Sequence, residues 1–178
     1  MKTTSVVWEG FQYQENKVLP DFLKPKPQYE VRNGDVLMTR GGPNSRVGVV
    51  AFVYMTQPYL MLSDKLYRLI FDNSVCPEFI ALALSSSATQ RHLSTLKTGL
   101  AESQTNISQE IVKQLHISLP KKTEQEQIAK VLRDIFTNSH VYQKSLNKLR
   151  SLKTALMQDL LPGKKRVAPL MQNMEVCS

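Results

Sequence analysis

No stretch of the sequence approaches the roughly 18 uninterrupted apolar residues of a membrane-spanning helix. The opening, MKTTSVVWEGF, lacks the apolar run of a secretory leader. A cytoplasmic chain is therefore expected. Cysteine is scarce: Cys76 lies in the body and Cys177 next to the last residue, which excludes a paired-cysteine metal knuckle and makes both read as free thiols in a reducing compartment. Histidine is scarce too, with His92, His116 and His140 on separate segments and no HExxH pair. No Asn or Asp stands before Pro-Pro-aromatic, as adenine methylation would require. The Gly-rich GGPNSRVG lacks the Gly-Lys-Ser/Thr of a phosphate-cradling loop, and Pro20-Asp21 is not followed by the carboxylate, any residue, Lys triplet of a magnesium nuclease. The common catalytic constellations are thus missing, and no metal site is expected.

What is present is an ordinary globular composition, 42% hydrophobic and 21% charged in 178 residues, enough for one compact domain with a long extra element. The net charge of +8 suits a polyanionic partner, but its placement is uneven. Residues 1–120 carry 12 Lys and Arg against 10 Asp and Glu, whereas residues 121–178 carry 11 against 5. The basicity sits mostly in the C-terminal third, where a solvated helix face accounts for it as well as a nucleic-acid contact does.

Up to about residue 30, Pro20, Pro25 and Pro27 break the chain into strand fragments and loop. Past Gly34, the apolar run Val36, Leu37, Met38 and the stretch from Val47 to Tyr54 read as strands buried on both faces. Between them GGPNSR must turn. LMLS and Leu66 to Phe71 read as two further strands. Pro77 at a first helical position, followed by Phe79, Ile80, Ala83 and Leu84, predicts a helix. Ser87 with Gln90 predicts a second helix start, and Gly99 its end. GLAESQTNIS reads as polar loop, and the alternation Leu115, Ile117, Leu119 as a last strand.

Beyond Pro120 the periodicity changes. Thr123 and Glu126 form a capping-box pattern, and Pro162 with Gly163 marks a stop. Ile128, Ile135, Tyr142, Leu149 and Leu156 recur every seven residues, with Leu132, Ser139, Leu146, Lys153 and Leu160 each four later. That is a heptad seam, apolar at eight of ten positions. A helix of this length is roughly 58 Å long. It is expected to project from so small a domain, and its apolar stripe needs a partner. The fold class expected is α+β: a small mixed or antiparallel sheet domain with short helices over 1–120, one long coiled-coil-type helix over 121–163, and a disordered tail over 164–178.

Three segments in order, NGDVLMTRGG, GLAESQTNISQEIVKQLHISLP and TEQEQIAKVLRDIF, resemble type I restriction specificity subunits. Leu119, Pro120, Glu126 and Gln127 match the entry to that family's long helix, and Leu152, Lys153, Leu156, Leu160, Leu161, Gly163, Arg166 and Val167 match its exit. The resemblance implies a non-catalytic reader of double-stranded DNA that docks methyltransferase subunits and, through them, the restriction subunit. It implies no cofactor on this chain, with S-adenosylmethionine, ATP and magnesium belonging to the partner subunits. The family's full subunit has two recognition domains and two long helices, and this chain resembles one of each. Either a half-subunit that dimerises through the long helix or a truncated remnant or silent cassette is expected.

Loops on a rigid sheet are where such a reader places its contacts. The candidates are Arg40, Asn44, Ser45 and Arg46 around the Gly-rich turn, and Lys97, Thr98, Ser103, Gln104, Thr105 and Asn106 in the second polar segment. Arg matches guanine, and Asn or Gln adenine, through paired hydrogen bonds. Arg91 and Lys97 suit phosphate. Each has a plainer role beside it: Asn44 holding a turn, Arg40 pairing with Asp35, Gln104 or Asn106 capping the next helix. Ile128, Leu132, Ile135, Tyr142, Leu146, Leu149, Leu156 and Leu160 are the helix-packing candidates. The competing function is a coiled-coil interaction protein that no longer binds DNA.

Overall fold

The computed structural model describes residues 1–98 and 104–166. Its compact units are Met1–Lys130 and Val131–Ser178. At the centre of the first lies the strand Val36–Thr39, buried at all four positions. Calling the two-residue strands Val6–Val7 and Gly10–Phe11 β1 and β2, this central strand is β3, followed by β4 (Gly41–Gly42), β5 (Val50–Phe52) and β6 (Leu66–Leu69). β3 pairs antiparallel with β5 on one side and β6 on the other, with Leu37 opposite both Ala51 and Arg68. The two-residue period then sorts the side chains. Val36, Met38 and Val50 face a core that includes Phe79, Ile80, Leu84 and Leu93, while Leu37, Val49, Ala51 and Leu66 face a second one with Val6 and Val31.

The strand expected over Val47 to Tyr54 is shorter than its apolar run. Gly48 takes a positive φ of 87°, and its N–H donates to the Thr39 carbonyl at 2.8 Å while Val49 accepts from the Thr39 N–H at 2.9 Å. The ladder is regular only from Val50, although Val47 and Val49 are both buried. LMLS is not a strand. Met61 bridges Glu30 alone, and Leu60 and Leu62 bond to Val31 and Tyr29.

Helix α1 (Pro77–Ser85) begins on Pro77 and buries Phe79, Ile80, Ala81 and Leu84. Helix α2 (Ser87–Leu96) starts one step away from the expected pattern: Ser86, not Ser87, is the cap, accepting from the Thr89 N–H at 3.3 Å. Gln90 is thereby released from capping, and its amide donates to the Gly48 and Leu84 carbonyls at 2.9 and 2.8 Å. Strand β7 (Thr105–Asn106) and helix α3 (Gln109–Lys113) follow, the latter capped by Ser108. The alternation over 115–119 does not make a strand. Leu115 and Ile117 do pack against the core, but no neighbouring backbone is placed to pair with them among the described residues.

Helix α4 spans Lys122–Leu160, 39 residues or about 58 Å. It starts one residue before the expected Thr123 cap, and its entry is fixed by Gln125. That buried side chain accepts from the Cys76 N–H and donates to the Pro120 carbonyl, both at 2.8 Å. Lys122 Nζ adds a bond to the Asn73 carbonyl at 2.7 Å. Within the first unit, Ala129 is buried and Ile128 packs against the core of Val36 and Phe79. In the second unit Leu132 is half-buried, whereas Ile135 (56% exposed), Tyr142 (74%), Leu146 (41%) and Leu149 (63%) are open to solvent. Leu156 is exposed and Leu160 half-buried. The expected tail beyond residue 166 lies outside the described residues. Among the described residues no helix is long and apolar enough to cross a membrane.

Candidate nucleic-acid interface

The two polar segments singled out in the sequence meet at one end of the β3–β5–β6 sheet. β4 pairs antiparallel with β7, Gly41 opposite Asn106 and Gly42 opposite Thr105. Thr98 bridges Asn106 from the other side. Asn106 N–H donates to the Thr98 carbonyl at 2.8 Å and its carbonyl accepts from the Thr98 N–H at 3.1 Å. Thr105 and Asn106, expected in a loop, therefore sit in the middle strand of a small ribbon. Ile107, buried, joins the ribbon to β3 through its N–H, which donates to the Arg40 carbonyl at 2.8 Å.

Around this ribbon stand most of the expected contact residues. Asn44, Ser45 and Arg46 form a single 3-10 turn, with the first two exposed and Arg46 partly buried. The turn is fastened from below by Thr39, whose hydroxyl donates to the Arg46 carbonyl and accepts from the Val49 N–H. It is fastened from the side by Lys97, whose ammonium donates to the Asn44 carbonyl at 3.1 Å. Partial burial of that ammonium lowers the Lys97 pKa from the ordinary lysine value. Thr98, Gln104 and Asn106 are exposed, and Thr105 is buried. Arg91 is exposed on α2 and is not tied to the ribbon by a hydrogen bond or ion pair among the described residues. Ser103 lies outside the described residues.

Arg40 does not pair with Asp35. Asp35 is engaged by Arg68, with Nε 3.1 Å from Oδ2 and both side chains largely buried. Arg40 instead lays its guanidinium over the Tyr67 ring, 5.2 Å from the centroid. Tyr67 also donates its hydroxyl to the Ile107 carbonyl at 3.0 Å, so it supports the ribbon at two points. Sequence reasoning missed it because it reads as one more position of an apolar strand; a hydroxyl in LYRLIF was the available signal. Thr39 was missed for the same reason, while Gln90 was read as part of a helix start and not as the donor to the Gly48 carbonyl. The helix-cap role considered for Gln104 and Asn106 belongs to Ser108, which accepts from the Ile111 N–H at 3.4 Å.

The cationic rim has acidic neighbours, among them Glu15. Thr4 donates to Glu15 at 2.9 Å and Lys2 lies 3.4 Å away. The Thr4 hydroxyl first, then Lys2, with a smaller contribution from Arg46, hold the Glu15 carboxyl below its ordinary range. Beside the ribbon a concavity of about 350 Å³ is lined by Arg40, Tyr67, Thr98, Asn106, Ser108 and Glu110 among others. Among the described residues no three His, Cys, Asp or Glu side chains converge on a position suited to a metal ion. The arrangement can therefore present guanidinium, ammonium, amide and hydroxyl groups to a polyanion from a rigid rim.

Comparison with known proteins agrees in kind. Residues 2–151 match the family model described as the type I restriction modification DNA specificity domain. The chain is 42% identical over 137 residues to the type I restriction enzyme EcoEI specificity subunit of Escherichia coli, covering 76% of this chain and 23% of that protein. It is 28% identical over 137 residues to the EcoKI specificity subunit of Escherichia coli strain K12, covering 75% of this chain and 29% of that protein. The chain thus spans about a quarter of the length of these curated relatives.

Proposed function

The chain belongs to the type I restriction modification DNA specificity domain family, and from that premise we propose that it reads a DNA sequence as the specificity component, or half of one, of a type I restriction and modification complex. The observation that supports this reading is the ribbon of Gly41, Asn106 and Thr98, which gathers two polar segments onto one rim. Arg40, Arg46 and Lys97 supply positive charge there. Asn44, Ser45, Thr98, Gln104 and Asn106 supply the hydrogen-bonding groups that base edges and phosphates require. Arg91 on α2 serves as a further phosphate contact.

On this reading the chain is an address label without catalysis of its own. Methyltransferase subunits carry S-adenosylmethionine, and a restriction subunit carries ATP and magnesium. The open stripe of Ile135, Tyr142, Leu146 and Leu149 on α4 is the surface on which a methyltransferase subunit or a second copy of the chain packs.

The test is duplex-DNA binding by the chain, alone and with a cognate methyltransferase subunit, over a range of salt. The logarithm of the binding constant should fall linearly with the logarithm of salt concentration, by about 0.9 per phosphate neutralised. The same α4 stripe favours one other reading, an interaction protein that assembles but does not bind DNA. Salt-independent or absent binding in a preparation that still assembles would select that one.

A further inference from the structure

Asn106 is placed differently from the other candidate readers. Its backbone is the middle of the ribbon, bonded through both N–H and C=O to Thr98 and opposed by Gly41 on the other side. Its side-chain amide makes no hydrogen bond to protein among the described residues and is exposed. The amide also lies across the bare Cα of Gly41, where a Cβ would stand 2.6 Å from Asn106 Oδ1. Glycine at position 41 thus leaves the room in which the amide rests. The other candidates lack this combination: Arg40 is spent in part on the Tyr67 ring, Asn44 sits in a 3-10 turn and Gln104 in a bend, both outside the strand pairing.

We propose that Asn106 pairs with the major-groove edge of an adenine, so that the recognised sequence holds an adenine at a fixed position facing the ribbon. This assignment rests on the DNA-reading function proposed above. A carboxamide offers an acceptor and a donor side by side, the complement of the adenine N6 amino group and N7. Guanine presents two acceptors at the same place, and one of them would face the amide oxygen. Because the backbone of Asn106 is already paired and only two side-chain torsions remain to be set, little freedom is lost when the contact forms. No structural duty competes for the amide, since Ser108 caps α3.

The experiment selects duplexes from a randomised pool with the full chain, then replaces each adenine of the selected sequence by purine, which lacks the 6-amino group, or by 7-deazaadenine, which lacks N7. At one adenine both analogues should weaken wild-type binding by roughly 5- to 150-fold, the range of a paired base contact. Asn106→Ala should bind all three duplexes equally. Asn106→Asp, which keeps the shape and the acceptor but loses the donor, should remain sensitive to purine and become insensitive to 7-deazaadenine. A thermal transition like that of the wild type in both variants confirms that the ribbon is intact. Wild-type discrimination at every adenine in a folded Asn106→Ala variant would overturn the assignment while leaving DNA reading in place. Failure to select any duplex, with or without a methyltransferase subunit, would overturn both.

Discussion

The Lys97 ammonium donates to the Asn44 carbonyl at 3.1 Å and so joins the end of α2 to the turn at the edge of the candidate interface. This half-buried lysine is engaged inside the protein before any DNA arrives. Its expected role is to hold the turn rather than to neutralise a phosphate. Lys97→Gln should therefore lower affinity or alter sequence preference without changing the slope of binding against salt. A slope smaller by about 0.9 would instead identify Lys97 as a phosphate contact.

Arg40 and Arg46 present their charge at the rim, and their side chains contribute nothing to either core cluster. Replacing both with Ala should weaken duplex binding and reduce the salt dependence. Stability should change by less than about 1 kcal/mol, a modest allowance for the stacking of Arg40 on Tyr67. Titration at several salt concentrations beside a urea melt measures both quantities. Binding unchanged at moderate salt would remove the Gly-rich turn from the interface.

Gly48 illustrates a glycine required twice over. Its φ is positive, and a Cβ would lie 2.6 Å from Leu93 Cδ2 and 3.3 Å from Ile107 Cδ1. Gly48→Ala should cost roughly 2 to 4 kcal/mol from backbone strain and overpacking together. Gly34, with a φ of 92° and open space around it, provides the control: Gly34→Ala carries only the backbone cost of about 1 kcal/mol. Denaturant unfolding of the two variants should rank them in that order.

Gln125 uses both ends of its amide, toward Cys76 and Pro120, inside the first unit. Gln125→Leu fills similar volume and leaves a backbone donor and acceptor without partners. A loss of about 2 to 6 kcal/mol is expected, at 1 to 3 for each group. A melting temperature equal to that of the wild type would show that water replaces the amide at no cost.

Along α4, burying a leucine is worth roughly 1.5 to 3 kcal/mol, and a charge in its place opposes burial outright. Leu146→Glu combined with Leu149→Glu should abolish self-association or assembly with a methyltransferase subunit. The thermal transition of the Met1–Lys130 unit should persist. Sizing by light scattering beside calorimetry distinguishes the two effects, and an assembly of wild-type size would mean that the stripe is not the docking surface.

The sheet and α1 were legible because their residues obey local rules. Val36, Leu37 and Met38 form a buried run next to turn residues, and Pro77 precedes apolar positions at helical spacing. So was the α+β class, with its long last helix. The ribbon was not legible: Gly41, Gly42, Thr105 and Asn106 have turn or loop preferences, and their pairing is imposed by neighbours distant in sequence. Capping was legible only in type. Ser86 and Ser108 replaced the expected Ser87 and Gln104 or Asn106, since several polar residues stood within reach of each helix start. The entry to α4 misled more thoroughly, because a capping-box pattern at Thr123 says nothing of a buried Gln125 whose partners come from elsewhere in the fold. At the candidate site, loop composition pointed to most of the rim, whereas the supporting Thr39, Tyr67 and Gln90 are visible only once the chain is folded.

The joining of Gly41 to Asn106 also bears on the order of folding. The β3–β5 pairing closes a short loop, whereas pairing β4 with β7 closes one that contains β5, β6, α1 and α2. Closure entropy rises with sequence separation, though slowly, so this pairing is expected to be gained later than β3–β5. Made of two-residue strands and rich in glycine, the ribbon should also be among the first parts to open in the native state, with amide protons at Thr98 and Asn106 exchanging well before those of β3. The proposed reading surface is thus expected to be held less firmly than the sheet beneath it, so that substitutions there can accumulate without unfolding that sheet.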